Sequence, residues 1–188
     1  MTKLQKPAQL ALGPVPPALI ACGNEAEKNI ITLAWVGVVN SSPPMISVSI
    51  RPNRYSHDLV RDSGEFTVNL PTTEQVDLTD GCGTLSGKDL DKFERYNLTA
   101  SMGTLKYAPM IEECPISMEC KVEHTLKLES HTLFIGRVHT TYLLEEITDQ
   151  KGVIDMERCR LLGFCAGNYL QTLPLNLKLG YTLKLSKG

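Results

Sequence analysis

The chain has 188 residues, of which 42% are hydrophobic and 21% are charged, and its formal net charge is −2. This length and composition are typical of one globular domain over residues 1–188 that can bury a sizeable core. The near-neutral charge provides no basic face for nucleic acid, and no apolar run approaches the roughly 20 residues of a membrane-spanning helix. The first residues lack the apolar core of a signal peptide, so we expect a cytoplasmic protein with no nucleic-acid or membrane partner.

The six cysteines and four histidines raise the question of a metal site. The cysteines are widely and irregularly spaced and form no C-x-x-C pair, so they lack the clustering that zinc requires. Cys120 and His124 would share one face of an alternating strand, but two ligands do not complete a site. The pattern predicts no metal and reduced, mostly buried thiols. The cysteines are Cys22, Cys82, Cys114, Cys120, Cys159 and Cys165.

The first 50 residues predict three strands. Residues 1–13 are expected to be loosely ordered, and the prolines that follow force an extended approach to a short buried strand over residues 18–22. A turn leads to a strand over residues 30–36, so that these two strands form a hairpin. The paired prolines at residues 43–44 cannot extend a β-ladder and must turn the chain, and a third strand follows over residues 45–50.

Short helices are predicted after the third strand. Ser56 is a good N-cap and Gly64 a good stop signal, which predicts a helix between them. A second short helix begins at Thr73. The glycine-rich residues 81–87 are expected to form a flexible loop, and residues 88–96 a third helix.

The remaining strands indicate the fold class. A short strand is predicted over residues 66–70, and residues 116–128 alternate apolar and polar side chains as in a half-buried antiparallel strand. A turn then leads to a second long strand over residues 132–144, and residues 154–159 predict one helical turn. Successive antiparallel strands with short inserted helices predict a mainly β protein with a closed β-barrel rather than a doubly wound sheet.

The strongest candidate site is a cluster of polar donors at the end of the third strand. Arginine forks and a helix start, where backbone N–H groups are free, suit the oxygens of a phosphate. A solvated strand end with no ligand is the alternative interpretation of the arginines, and a plain exposed loop is the alternative for a second anion clamp at Ser86 and Lys88. The cluster consists of Ser49, Arg51, Asn53, Arg54, Ser56 and His57.

Several blocks of the sequence carry a family resemblance that spans roughly residues 14–170. They read NIITLAW (29–35), PPMISVSIRPNRYSH (43–57), GEFTVNLP (64–71), CGTLSGKDLDKF (82–93), APMIEECP (108–115) and HTLFIG (131–136). With these blocks the chain resembles the flavin reductase-like family of FMN-binding split barrels, which includes the flavoredoxins. The resemblance implies a split barrel that binds FMN non-covalently, as a homodimer with the flavin at the subunit interface.

The resemblance also implies roles for individual residues. The strand that ends at Trp35 would run along the isoalloxazine ring, although Ala34 removes a hydroxyl contact that the family often has there. The residues around Arg51 would hold the phosphate and the ribityl chain. Apart from the resemblance, His57 lies next to Ser56 and is expected to position the phosphate loop rather than to transfer protons. The implied cofactor-binding residues are Asn29, Thr32, Leu33, Ala34, Trp35, Ser49, Ile50, Arg51, Arg54, Tyr55, Ser56, His57, Ser86 and Lys88.

Two functions remain open on this resemblance. The first is an NAD(P)H-dependent flavin reductase that transfers hydride to FMN, in which His131 contacts the flavin face where nicotinamide stacks. The corresponding Gly-Asp-His turn of the family is Glu129-Ser130-His131 here, which leaves His131 equally open to a plain hairpin-corner role. The second function is a flavoredoxin-like electron carrier that keeps FMN bound, has no nicotinamide site and exchanges electrons with a redox protein partner.

Overall fold

The computed structural model describes residues 1–24, 26–175, 177 and 179–182, and antiparallel strands dominate this part of the chain. The strands are β1 (Ala18–Gly23), β2 (Lys28–Leu33), β3 (Val36–Ser41), β4 (Pro44–Ile50), β5 (Glu65–Leu70), β6 (Ala100–Ser101), β7 (Met110–Ile111), β8 (Ile116–Lys127), β9 (Thr132–Leu143), β10 (Leu162–Cys165) and β11 (Asn168–Gln171). The helices are α1 (Tyr55–Ser63), α2 (Val76–Thr84), α3 (Lys92–Arg95) and α4 (Met156–Cys159), with 3-10 turns at Thr73–Gln75 and Glu145–Ile147.

Seven of the strands form one antiparallel sheet in the order β2-β1-β5-β8-β9-β4-β3. The two edge strands, β2 and β3, are consecutive in the chain and are separated only by Ala34 and Trp35. The sheet must therefore curl until its two edges come close together. The Ser49 amide on β4 donates to the Trp35 carbonyl (N···O 3.1 Å), which extends the β3–β4 pairing up to the bend between β2 and β3. This sheet confirms the predicted mainly β fold. It forms a barrel that is split between β2 and β3.

The barrel interior is a close-packed apolar core. Phe66, Phe134 and Ile50 are among its fully buried side chains. A Cβ atom on Gly136 would lie 2.7 Å from the Phe66 ring, so the glycine allows this ring to pack flat against β9. Burying each such side chain contributes about 1.5–3 kcal/mol. The core therefore stabilises the curvature that opens the split.

The strand predicted over residues 30–36 is wrong at its C-terminal end. β2 stops at Leu33, the chain bends at Ala34 and Trp35, and β3 starts at Val36. One straight strand cannot be both edges of a curled sheet, so the chain has to break where the edges meet.

Ser42 and Pro43 form the turn between the antiparallel strands β3 and β4. Pro44 is the first residue of β4 and the register partner of Ser41, so the prediction that both prolines lie outside the ladder is wrong for Pro44, because a proline is tolerated at the first position of a strand.

The predicted start of the first helix is also wrong, whereas its end is confirmed. Helix α1 begins at Tyr55 with Arg54 as the N-cap, and no side chain caps it. The Ser56 hydroxyl instead accepts a hydrogen bond from the Asn29 side chain (2.7 Å). Gly64 ends the helix in the left-handed conformation (φ 67°), and its N–H donates to the Val60 carbonyl.

Residues 81–87 were expected to form a flexible loop, and this prediction is wrong for residues 81–84, which are helical. Helix α2 continues to Thr84, because its glycines allow close packing: a Cβ atom on Gly81 would collide with the Tyr96 hydroxyl, and one on Gly83 would touch Thr32. The third helix is shorter than predicted. It covers only Lys92–Arg95, since the Asp91 side chain caps its first N–H groups.

A bulge changes the pattern of the long strand β8. The register with β9 shifts between Val122 and His124, because β8 has one residue more than β9 at this point. Cys120 is consequently buried while His124 is exposed, and the prediction that they share a face is wrong. Within the described ranges no group of three or more His, Cys, Asp or Glu residues could hold a metal ion. No helix in those ranges is long and apolar enough to cross a membrane.

Candidate functional site

The split of the barrel opens onto three adjoining cavities of about 210, 180 and 720 Å³. We call them the anion pocket, the middle pocket and the apolar groove, and together the cleft. The shared wall residues are Ile31, Arg54 and Gly83 between the first two cavities, and Ala34, Trp35, Ser49 and His131 between the last two. The three cavities therefore form one continuous surface.

A buried lysine lies at the base of the anion pocket. The Lys92 ammonium donates to the carbonyls of Ile30 and Cys82 (2.7 Å each), and the side chain is only 3% exposed. An ammonium has three N–H groups, so one remains for a ligand in the pocket. Burial lowers the pKa of Lys92 from its ordinary value. A bound anion would offset that cost of burying a charge.

The walls of the anion pocket are hydrogen-bond donors that the fold holds in place. Asn29, on β2, donates to the Ser56 hydroxyl in the first turn of α1, and both side chains are buried. A Cβ atom on Gly87 would lie 2.2 Å from the side-chain oxygen Oδ1 of Asn29, so this close packing requires glycine. The pocket wall is completed by Asn53, Arg54, Tyr55, Cys82, Leu85 and Ser86.

The start of helix α1 adds backbone donors to the same pocket. The first N–H groups of a helix have no partner inside the helix, and no side chain caps them here. Tyr55 and Ser56, the first two residues of α1, both line the pocket. None of the residues that line the anion and middle pockets is a carboxylate. This end of the cleft therefore suits a phosphate.

His131 and Trp35 form the wall between the middle pocket and the apolar groove. Their ring centroids are 4.3 Å apart, and the Ser130 hydroxyl is 2.8 Å from His131 Nδ1. Burial lowers the pKa of His131, and the nearby Arg51 guanidinium lowers it further. The imidazole is therefore neutral at pH 7, and Nε2 is the ring nitrogen left for a ligand.

Replacing Arg51 with alanine is expected to raise the pKa of His131 toward its ordinary value, because it removes the cation that disfavours imidazolium. The rise stays incomplete, since burial remains. An NMR titration of the imidazole C–H signals, assigned with His131→Gln, measures it. Arg137→Ala is the matched control, because that guanidinium pairs with Glu123. If the pKa of His131 were the same in Arg51→Ala as in Arg137→Ala, the effect of the Arg51 guanidinium on that pKa would be contradicted.

The apolar groove is built from parts that are distant in sequence. Phe164, on the β10–β11 hairpin, exchanges two backbone hydrogen bonds with Val15 (2.8 and 2.9 Å). This bridge brings the N-terminal segment with Leu10 and Leu12 beside Trp35. The groove therefore presents aromatic and aliphatic surfaces to a flat apolar group.

The fold brings most of the predicted site residues together in the cleft. Asn29, Arg54, Tyr55, Ser56 and Ser86 line the anion pocket, and Thr32, Leu33, Ala34, Trp35, Ser49, Arg51, Arg54 and His131 line the middle pocket.

Three predicted residues lie outside these pockets. Ile50 points into the barrel core, because side chains alternate along β4 and its neighbour Ser49 takes the cleft side. His57 is buried with Nε2 2.9 Å from the Thr132 hydroxyl, so it links α1 to β9. Lys88 lines a separate surface pocket next to the anion pocket.

The sequence interpretation missed Lys92, Gly83 and Phe164. Lys92 occurs in a short charged stretch that is typical of an exposed helix, and only the packing of α3 on β2 buries it. Phe164 follows Gly163 in an apolar stretch, and a glycine in such a stretch can indicate that another part of the chain packs closely against it. Its position beside Trp35 depends on the distant bridge to Val15.

The chain is a split barrel whose cleft runs from a buried lysine and exposed arginines to aromatic walls, a shape and polarity that suit an elongated anionic ligand with a flat apolar end. A family model described as "Flavin reductase like domain" matches residues 12–172. The chain therefore belongs to the flavin reductase-like family.

Individual proteins are similar over most of the chain. The flavoredoxin of Methanosarcina acetivorans superimposes with a TM-score of 0.88 at 29% identity, covering 97% of this chain and all of that one (100%). The flavoredoxin of Desulfovibrio vulgaris (Miyazaki F) gives 0.89 at 27% identity, with coverage of 95% and 98%. The NADH-dependent FMN reductase AsuE2 of Streptomyces nodosus subsp. asukaensis is 26% identical over 136 residues, 72% of each chain.

Proposed function

We propose that the chain binds FMN non-covalently in the cleft and acts as an NAD(P)H:flavin oxidoreductase. The observation that carries the proposal is the order of surfaces along the cleft. Donors and cations lie at one end, hydroxyls, the Arg51 guanidinium and a neutral imidazole in the middle, and aromatic and aliphatic side chains at the other end. FMN has the same order of groups: a phosphate, a polyol chain and a flat ring.

The chain's own residues would position the two ends of the cofactor. Arg54, the third N–H of Lys92 and the first turn of α1 would hold the phosphate by charge-assisted hydrogen bonds. Trp35 and Phe164 would exclude water from the apolar end. FMN, when bound, supplies the redox chemistry by accepting hydride from NAD(P)H at its N5 atom.

His131 would act by position rather than as a proton donor at neutral pH. Its lowered pKa keeps the ring uncharged, and Ser130 fixes the orientation of the ring through Nδ1. A neutral ring packed on Trp35 offers both a flat surface and one nitrogen to a ligand between the middle pocket and the groove. This suits contact with the flavin or the nicotinamide.

We also propose a homodimer with the flavin at the subunit interface. Trp35, Leu126 near the end of β8 and Leu128 just after β8 are apolar side chains at the surface. Trp35 is 47% exposed, Leu126 54% and Leu128 52%. Trp35 and Leu128 both line the apolar groove, and exposed apolar side chains beside a ligand cleft indicate an interaction surface. A second copy that covers it would also shield the exposed side of the cleft.

A second candidate function is a flavoredoxin-like electron carrier with a redox protein partner and no nicotinamide site. Two observations favour it. The turn before β9 is Glu129-Ser130-His131, which departs from the Gly-Asp-His turn of the reductases, and both flavoredoxin structures superimpose over nearly the whole chain. In this case the same cleft would keep FMN bound while electrons pass through the protein surface.

An anaerobic visible spectrum separates the two candidates. The FMN-loaded protein is recorded before and after addition of NADH, and then NADPH, with free FMN at the same concentration as the control. We expect the bound flavin spectrum to bleach within seconds with one donor. Persistence with both donors, followed by bleaching with dithionite, would establish the carrier instead. Failure of FMN to bind would overturn both candidates.

A further inference from the structure

The β10–β11 hairpin forms one wall of the apolar groove. Phe164 on β10 lines the groove, and so do Ala166 and Gly167 at the turn of the hairpin. Tyr169 on β11 is the register partner of Phe164, and the two rings pack edge to face with their centroids 5.4 Å apart. The place of Phe164 in the groove wall therefore depends on the place of Tyr169.

The hydroxyl of Tyr169 joins this hairpin to helix α2. It donates a hydrogen bond to Oδ1 of Asp80 (3.0 Å), a residue that is 89 positions away in the chain. Burial raises the pKa of Tyr169 to about 12, and the Asp80 carboxylate contributes to the rise. The phenol is therefore protonated at neutral pH and remains a donor to Asp80.

The opposite wall of the cleft is bonded to the same helix at the preceding residue. Thr32 on β2 lines the middle pocket, and its hydroxyl donates to the backbone carbonyl of Thr79 (2.5 Å). Gly83, one turn further along α2, lines both the anion pocket and the middle pocket. Helix α2 is thus bonded to β2 through Thr79 and to the hairpin through Asp80.

The hairpin is fixed elsewhere by backbone hydrogen bonds at its base and on β10. The Leu162 amide donates to the Pro71 carbonyl (3.0 Å), and Phe164 is bridged to Val15. A two-stranded hairpin is only marginally stable by itself, so its position depends on such attachments. The bond from Tyr169 adds an attachment on β11, directly behind the ring of Phe164.

We propose that Tyr169 and Asp80 are positioning residues for the flavin ring, because their hydrogen bond holds Phe164 in place as a wall of the apolar groove. The inference rests on FMN binding in the cleft, as proposed above. Neither residue is among those in the described part of the chain that line the groove, so both act through Phe164. Asp80 is exposed, so the bond can be broken without opening the barrel core.

A double-mutant cycle in the full-length protein tests the pair. Tyr169→Phe removes only the hydroxyl, and Asp80→Ala removes the acceptor. We expect each variant to weaken FMN and riboflavin equally, by about three- to tenfold in Trp35 fluorescence titrations, because both ligands carry the ring. The double variant should lose no more than either single variant, since both remove the same bond. Asp80→Asn keeps an acceptor oxygen and should bind both ligands as the wild type does.

The visible circular dichroism of the flavin, recorded at saturating FMN, reports the ring's surroundings independently of affinity. We expect it to change in Tyr169→Phe and Asp80→Ala and to be restored in Asp80→Asn. Glu74→Gln is the matched control, because Glu74 pairs with Arg160 at the base of the same hairpin and is not among the described residues that line the groove.

Several results would overturn the positioning role while FMN binding stands. They are an unchanged affinity in Tyr169→Phe, additive losses in the double variant, a loss confined to FMN, and an equal loss in the Glu74→Gln control. Failure of the unmodified protein to bind FMN would instead overturn the proposed function.

Discussion

Replacing Arg54 with alanine is expected to weaken FMN binding by about ten- to a hundredfold. Arg54 lines both the anion pocket and the middle pocket, and no carboxylate among their lining residues competes for its guanidinium. A hydrogen bond to a charged group contributes about 1.5–3 kcal/mol, which corresponds to this change in affinity. Residue 54 is the N-cap of helix α1 through its backbone alone, so we expect the variant to preserve the fold of the site.

The single tryptophan makes the measurement direct. Trp35 lies in the wall of the cleft, so its fluorescence should report FMN binding during a titration. Riboflavin lacks the phosphate, and its affinity should be equal in the wild type and in Arg54→Ala. Arg61→Ala is the matched control, since Arg61 lies on the same helix but pairs with Asp58 and Asp62. Equal losses for FMN and riboflavin would contradict a phosphate contact.

Replacing Glu119 with alanine is expected to lower the free energy of unfolding by roughly 2–5 kcal/mol. Glu119 is a fully buried carboxylate on β8 that accepts hydrogen bonds from the Thr104 and Leu105 amides (2.8 and 3.0 Å). The hydroxyls of Thr104 and Tyr142 donate to its other oxygen. Each buried donor left without a partner costs about 1–3 kcal/mol.

The contribution of Glu119 should depend on pH in a defined direction. Burial alone would raise the pKa of Glu119, but the donated hydrogen bonds outweigh burial and hold the pKa below its ordinary value. The folded state therefore favours the carboxylate, and the stabilisation is complete above the unfolded pKa of about 4.3. It is lost as the pH falls through the lower folded pKa. Wild type and Glu119→Gln should converge in stability in acid.

Urea unfolding of the wild type, Glu119→Ala and Glu119→Gln at several pH values measures these differences. The matched control is Glu123→Gln, because Glu123 lies on the same strand but pairs with Arg137 at the surface. A surface ion pair contributes about 0–1 kcal/mol, so this variant should stay close to the wild type. A Glu119→Gln difference that is independent of pH would show that the carboxylate charge does not carry the effect.

Local sequence patterns were sufficient to predict those elements whose structure depends on neighbouring residues. The apolar–polar alternation that begins at residue 116, the stop at Gly64 and the turn at Pro43 determine their elements through side-chain period and backbone restriction. The family blocks also placed the arginines and Trp35 at one ligand site, and the structure brings them together. These features depend on residues within one strand, turn or helix end.

Other features were decided only by tertiary structure. The break at Ala34 and Trp35 follows from closing the sheet, and the burial of Lys92 follows from packing a charged short helix against β2. Phe164 reaches the cleft through a backbone bridge to Val15, about 150 residues away in the chain. The sequence by itself determined the two long strands β8 and β9, the donor types and the family, because these depend on local chemistry. The continuous cleft depended on contacts between distant segments, whose geometry no local pattern contains.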